Sequence, residues 1–190
     1  ISYSPAVSDN NLYSGFVQDK YALIQDKLFL TLGTKVEHNY YTGFELEPDA
    51  RLSWLINDKQ TVWTAISRSS RTPSRGEEGI TQVAVPQGGY YAAYAGDTQY
   101  GSEHLIAYEA GYRVQPSWRS SYDITVFYND YNNLQTFEST DGSTYYAYNH
   151  AHGESHGFEL SDRYSVTKDW NLYANYSLYY LNLTLDPGST

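Results

Sequence analysis

Residues 28–37 read LFLTLGTKVE, and this short segment decides the fold. Leu28, Leu30 and Leu32 occupy every second position, while Lys35 and Glu37 belong to the other set. Successive side chains of a β-strand point to opposite faces. The segment therefore predicts a strand with one apolar face and one polar face.

The same alternation recurs along the chain in eight segments. Helical periodicity is hard to find, and no apolar run approaches the roughly 18 residues of a transmembrane helix. A tilted strand needs only about 9–11 residues to cross a membrane. Asp162 falls on the apolar face of its segment, which the pattern does not explain. The predicted strands are Leu12–Ile24, Leu28–Val36, Leu46–Ile56, Thr61–Thr72, Ile106–Val114, Tyr122–Tyr128, Tyr145–Val166 and Trp170–Leu178.

Short and long connections alternate between these strands. Short turns fall at Gln25–Lys27, Asn57–Gln60, Gln115–Ser117 and Thr167–Asp169. Longer links are predicted at Tyr41–Phe44, Pro73–Ser102 and Glu138–Thr144. Outer-membrane barrels show this asymmetry, with short periplasmic turns and longer outer loops. The sequence thus predicts an all-β fold of about eight antiparallel transmembrane strands.

The composition agrees with a membrane interface and excludes some functions. The 190 residues include 22 Tyr and 4 Trp, residues that form belts where apolar and aqueous zones meet. A net charge of −10 would repel nucleic-acid phosphates. Because the chain has no Cys, disulfides and thiolate metal sites are excluded.

A soluble antiparallel sandwich would also alternate and also carry turns between strands. Strand length argues against it, because Tyr145–Val166 could run for about 20 residues, whereas globular strands usually have about 5–6.

Several motifs give the chain a family resemblance. Residues 30–39 (LTLGTKVEHN), 42–48 (TGFELEP), 67–75 (SRSSRTPSR), 108–113 (YEAGYR) and 157–160 (GFEL) are similar to the barrel strands of TonB-dependent receptors. The resemblance covers nearly the whole chain, so residues 1–190 are assigned to one barrel domain.

The resemblance implies a larger protein than this chain. Members have about 22 strands closed around a plug domain, so eight strands would be a fragment without the plug. The implied function is capture and import of a scarce nutrient, above all a ferric siderophore. The implied location is the outer membrane of a Gram-negative bacterium. The implied partners are the iron chelate, the TonB complex acting through the missing plug, and outer-membrane lipid and lipopolysaccharide.

Candidate ligand-binding residues lie in and beside Pro73–Ser102, the longest link. Arg71 and Arg75 could pair with carboxylate, phosphate or catecholate oxygens. Tyr90, Tyr91 and Tyr94 could offer aromatic surface to a planar ligand. The alternatives are pairing of the arginines with lumen acids or lipopolysaccharide, and a loop whose tyrosines contact no ligand.

His150, His152 and His156 stand at alternate positions and are weak candidates for a metal site. The alternative is an exposed polar strand after an outer loop. The sequence indicates no resident cofactor.

Catalytic motifs are missing from the sequence. No G-x-S-x-G, H-E-x-x-H or phosphate-binding glycine loop occurs, so an enzyme is not expected.

Two rival functions stay open at this point. A complete eight-stranded barrel acting as an anchor or adhesin requires Leu12–Ile24 to pair with Trp170–Leu183. An outer-membrane hydrolase requires a Ser or Asp and a His that converge at the outer rim.

Overall fold

The computed structural model describes residues 1–87, 90–139 and 141–189, and all of their side chains except those of residues 82–92. Within these ranges the chain is built almost entirely of strands, with one short helix. The elements are β1 (Ser2–Tyr3), β2 (Tyr13–Ile24), β3 (Leu28–Asn39), β4 (Gly43–Asn57), β5 (Gln60–Arg71), α1 (Arg75–Gly79), β6 (Ile80–Gln87), β7 (Tyr90–Ala95), β8 (Glu103–Ser117), β9 (Ser120–Glu138), β10 (Thr144–Ser165) and β11 (Asn171–Leu185).

The eight long strands confirm the eight predicted segments. They pair antiparallel with their neighbours in the order β2-β3-β4-β5-β8-β9-β10-β11 and form a curled half-barrel sheet. The turns at residues 25–27, 58–59, 118–119 and 166–170 lie at one end of the sheet, the short-turn end. The links that follow β3, β5 and β9 lie at the other end, the long-loop end. The structure has the turn predicted at Gln115–Ser117 slightly later in the chain. β8 continues through an irregular register to Ser117, and the chain turns at Trp118 and Arg119. Proline is tolerated at such irregular strand ends.

Register places the apolar side chains together on one face. Leu30 lies opposite Leu52, and Ile124 lies opposite Leu160. Leu52 and Ile124 are each more than a third exposed, and no described strand or helix forms a second layer over them. Alternation here therefore does not build a sandwich core, which rejects the soluble-sandwich alternative. Few apolar side chains of the described chain are buried, among them Tyr100, Ala147 and Ala151.

The two outer long strands leave the sheet open. β2 pairs with β3 on one side and β11 pairs with β10 on the other, and the described residues show no pairing between β2 and β11. The pairing required for a complete eight-stranded barrel is thus not observed. The described residues also contain no helix long and apolar enough to cross a membrane.

The longest predicted link has structure of its own. It contains α1 and the β6–β7 hairpin, and β7 pairs in parallel with the first residues of β10. β1, from the segment before β2, pairs with β6. The link therefore does not project freely but bends back across the long-loop end of the sheet.

Candidate functional site

The polar face of the sheet lines an open hollow of about 590 Å³ towards the short-turn end. Residues from six neighbouring strands contribute to it, so the polar face lies on the concave side of the sheet. Arg113 pairs with Asp123 at 2.5 Å, and the Arg51 guanidinium lies 4.3 Å from the ring centre of Trp63. A water-filled lumen requires a charged concave wall of this kind.

Five side chains fasten the longest link to the sheet at the long-loop end. Arg71 of β5 donates from Nη2 to Glu77 of α1 at 2.8 Å and to Glu103 of β8 at 2.6 Å. The Tyr100 hydroxyl donates to Glu103 at 2.9 Å, and the Gln135 amide of β9 donates to Glu77 at 3.0 Å. We call these five residues the rim cluster. It joins three strands to α1 through charge-assisted hydrogen bonds.

Charge and burial fix the protonation states of the link residues in the rim cluster. Burial alone would raise the pKa of Glu77, but hydrogen bonds from Arg71 and Ser74 hold that pKa below its ordinary value. Burial and the hydrogen bond to Glu103 raise the pKa of the Tyr100 hydroxyl well above its ordinary value. Glu77 is therefore a carboxylate and Tyr100 a neutral phenol around neutral pH.

The end of the link is anchored at two further points. Ser102 and Thr42 both donate hydroxyl hydrogen bonds to the buried Glu45 of β4, the Thr42 bond being 2.9 Å long. The Gly101 N–H donates to the Asn149 side chain at 2.6 Å, and Asn149 donates back to the Gly101 carbonyl at 3.2 Å. The link is thus tied to the β3–β4 turn and to β10 as well as to the rim cluster.

Replacing Arg71 by alanine is expected to loosen this link without unfolding the strands. Glu77 and Glu103 would lose their shared cation and repel each other. Arg71 is about half exposed (47%), so solvent screens part of the effect. We expect cleavage within residues 72–102 by a dilute protease to accelerate roughly tenfold.

Arg119→Ala is the matched control for Arg71→Ala, because Arg119 lies at the short-turn end over the ring of Trp118. It should leave the cleavage rate unchanged. Equal cleavage of both variants and the parent would show that the rim cluster does not hold the link.

A second acid in α1, Glu78, is expected to make the stability of the link depend on pH. Burial, Asp97 and Glu77 together raise the pKa of Glu78 to about 7. The folded link binds this proton more tightly than the unfolded link, whose Glu78 titrates near 4.5. The contribution of Glu78 to the stability of the folded link is therefore full below about pH 4.5 and is lost as pH rises from about 4.5 to 7.

Hydrogen exchange of α1, corrected for the intrinsic pH dependence, should show more protection at pH 5.5 than at pH 7.5. Glu78→Gln should remove the difference. A difference that persists in this variant would assign the pH effect to other groups.

Arg75 contacts a different part of the chain. Its Nη2 donates to the Pro5 and Ala6 carbonyls at 3.0 and 2.8 Å, and its guanidinium lies 4.5 Å from the ring centre of Tyr3. The Ser4 N–H also donates to the Gly79 carbonyl at 2.8 Å. Arg75 therefore holds the segment before β2 against the longest link.

The predicted tyrosines have different outcomes. Tyr94 is half-buried, and its ring meets that of Phe137 edge to face at 5.2 Å. The side chains of Tyr90 and Tyr91 lie outside the described residues. The structure thus brings Arg71, Arg75 and Tyr94 to one end of the sheet, where binding of a ligand by them stays a prediction.

The three histidines do not converge on one point. His150 Nδ1 lies 2.9 Å from Glu138, and His152 Nδ1 lies 2.9 Å from Asp186. His156 stacks on Tyr180. Within the described ranges, no group of three or more His, Cys, Asp or Glu side chains is placed to hold a metal ion.

One Ser–His contact bears on the hydrolase alternative. Ser70 Oγ lies 3.2 Å from His104 Nδ1, but the Arg68 guanidinium lies 3.1 Å from the same nitrogen. Of the described acids, none hydrogen-bonds to His104, so the group that would orient a catalytic histidine is missing.

Of the rim cluster, the sequence identified only Arg71 as a candidate, and it missed Glu77, Tyr100, Glu103 and Gln135. One signal was available, since Ser74 and Glu77 have the spacing of a helix capping box. Ser74 accepts from the Glu77 N–H, and Glu77 reciprocates by accepting from the Ser74 N–H at 2.7 Å. For Tyr100 and Gln135 the sequence offers no local signal.

Comparison with known families shows to which family the chain belongs. The family model for the TonB-dependent receptor-like β-barrel matches residues 2–189. The chain belongs to the TonB-dependent receptor family. It is part of the receptor barrel, as the motifs predicted.

Solved receptor structures have the same fold. The siderophore receptor PirA from Pseudomonas aeruginosa matches with a TM-score of 0.73 at 18% identity, covering 93% of this chain and 37% of that one. PirA from Acinetobacter baumannii matches with 0.72 at 14% identity, covering 90% and 27%. The ferric enterobactin receptor PfeA from P. aeruginosa, in complex with BCV-L6, matches with a TM-score of 0.74 at 19% identity, covering 89% of this chain and 27% of that one.

The chain spans 37% of PirA from P. aeruginosa and 27% of each of the other two receptors. The sheet is therefore a fragment of a larger barrel. Among curated protein sequences, none matches the chain.

Proposed function

We propose that the complete receptor containing this chain binds a ferric siderophore at the long-loop end and imports it. The observation that carries the proposal is the match of the TonB-dependent receptor barrel to residues 2–189. The solved structures with the same fold include siderophore receptors and an iron transporter, FrpB from Neisseria meningitidis. The proposal extends their ligand class to this chain.

The proposed location is the outer membrane of a Gram-negative bacterium. The apolar convex face would contact lipid, and the long-loop end would face outwards, next to lipopolysaccharide. All of residues 1–190 would belong to the barrel domain. A plug domain elsewhere in the protein would block the lumen and receive energy from the TonB complex.

The proposed ligand-contacting residues are Arg71, Arg75, Tyr90, Tyr91 and Tyr94. Arg71 and Arg75 already bind protein groups, but half of the Arg71 side chain is exposed and could meet an anionic chelate. Tyr94 would offer its ring edge or hydroxyl at the same end. A receptor role requires no catalytic group, and we propose no enzymatic activity.

Binding by the purified complete receptor tests the proposal. A panel of ferric catecholate, hydroxamate and carboxylate siderophores should include a ligand that quenches tryptophan fluorescence with a dissociation constant of about 1 µM or tighter. Tyr94→Ala should weaken that ligand roughly 3- to 10-fold. Tyr173→Ala, in the hollow near the short-turn end, is the matched control and should leave affinity unchanged.

Transport is tested separately in iron-starved cells. Expression of the receptor should restore growth on the bound chelate, and collapse of the proton gradient should stop uptake while binding persists. If no chelate binds and growth is not restored, the siderophore assignment is wrong.

A further inference from the structure

Asp162 is a charged residue on the apolar face of the sheet. In the register of β10 it lies opposite Tyr122 of β9 and Ala174 of β11. Leu160 and Phe158 of β10 lie on the same face. The structure therefore confirms that Asp162 is on the apolar face, as the sequence alternation predicted. The charge therefore sits where the proposed membrane orientation puts lipid.

Its depth coincides with a boundary of the apolar band. Between Asp162 and Glu154, the same-face residues of β10 are Leu160, Phe158 and His156. Eight residues of strand measure about 26 Å, which at a tilt of about 40° is about 20 Å along the membrane normal, and β10 ends at Ser165, only three residues beyond Asp162. Asp162 thus lies at the short-turn edge of the band, at the level of the lipid headgroups.

The carboxylate has an unfilled binding capacity. Its Oδ1 is buried, and no hydrogen-bond partner for it occurs among the described residues. It borders an almost wholly apolar depression of about 460 Å³, whose wall includes Tyr112, Tyr122 and Tyr176. A carboxylate beside tyrosine rings is the chemistry that recognises an organic ammonium, through charge, hydrogen bonds and cation–π contact.

We propose that Asp162 and these tyrosines bind the ammonium of a phospholipid with a primary amine headgroup, from the leaflet at the short-turn end. Charge complementarity selects this occupant, because an anionic headgroup would be repelled by the carboxylate. The apolar lining of the depression accommodates the adjoining acyl chain. The inference rests on the membrane embedding in the proposed function but not on the imported ligand.

Native mass spectrometry of the complete receptor tests the site. The receptor is placed in nanodiscs with equal amounts of phosphatidylethanolamine and phosphatidylglycerol, and the lipids retained after release are counted. The parent should retain phosphatidylethanolamine preferentially, and Asp162→Asn should reduce that retention roughly tenfold. Asp130→Asn is the matched control, because Asp130 pairs with Ile106 and Glu154 on the same face but at the other edge of the band.

A second measurement needs no variant. N-acetylated phosphatidylethanolamine keeps the phosphate but lacks the positive charge, so the parent should not retain it preferentially. Equal retention of the amine and acetylated lipids would overturn the site, as would an unchanged lipid count in Asp162→Asn or an equal loss in Asp130→Asn. Heat-dependent gel mobility shows separately whether each receptor is folded and embedded, so failure of the barrel is distinguishable from failure of the site.

Discussion

Arginine at Val126 is expected to destabilise the folded receptor by about 2–4 kcal/mol, whereas arginine at the adjacent Thr125 should change stability by less than about 1 kcal/mol. Val126 lies between Ala110 and Phe158 on the apolar face and is about half exposed. Thr125 points to the other face and lines the polar hollow. Both residues lie on β9 at nearly the same depth, so the two variants differ mainly in the face of the sheet that carries the arginine. Urea unfolding in lipid vesicles, followed by tryptophan fluorescence, measures both effects.

This pair of variants tests the physical claim on which the proposed function depends. A guanidinium in hydrocarbon loses its hydration, while one on the lumen face keeps it. If both variants lose equal stability, the apolar face does not contact lipid and the transport proposal loses its basis. A loss confined to Thr125→Arg would place the polar face in the membrane instead.

The eight long strands were predictable because one physical constraint repeats in each of them. A strand with hydrocarbon on one side and water on the other must alternate, so Leu28–Val36 alone indicates both its conformation and its faces. The turns follow from the same pattern, since alternation stops where polar turn residues begin. This periodicity can be recognised in the sequence without knowing which strands pair.

The longest link was not predictable in the same way. Its α1 and β6–β7 hairpin contain few residues, and they are held by partners far along the chain. Arg71 meets Glu103, and Gln135 meets Glu77 across 58 positions. Such contacts depend on which strands become neighbours, which the alternation does not encode. The capping box at Ser74 was the local exception.

The candidate ligand residues show the same division. The sequence alone identified Arg71 and Arg75 as candidate ligand-binding residues, and both lie at the long-loop end. Their hydrogen-bond partners, acids in one case and backbone carbonyls in the other, could be assigned only from the fold. A guanidinium satisfied by protein groups is a rigid positioned cation rather than a free one, which bears on how an anionic chelate would meet it.

Valine at Gly157 is expected to prevent β10 and β11 from pairing and to destabilise the receptor by more than about 3 kcal/mol. A Cβ at Gly157 would collide with the Leu178 carbonyl oxygen and lie 2.8 Å from the Tyr179 Cα. Backbone atoms of a paired strand cannot move aside as a flexible side chain can, so the strands must separate or shift register. A one-residue shift would exchange the apolar and polar faces of β11. Heat-dependent gel mobility should show a large loss of the folded species.

Gly15→Val provides the matched control for Gly157→Val, because a Cβ at Gly15 meets no heavy atom of the described chain within 4 Å. Gly15 is also a strand glycine, and it pairs with Val36 on the apolar face of β2 and β3. Valine is favoured in strands, so this variant should fold with a stability within about 1 kcal/mol of the parent. If Gly157→Val folds as readily as Gly15→Val, then Gly157 does not face Tyr179. In that case β10 and β11 pair in another register, and Asp162 loses the neighbours that define its proposed lipid site.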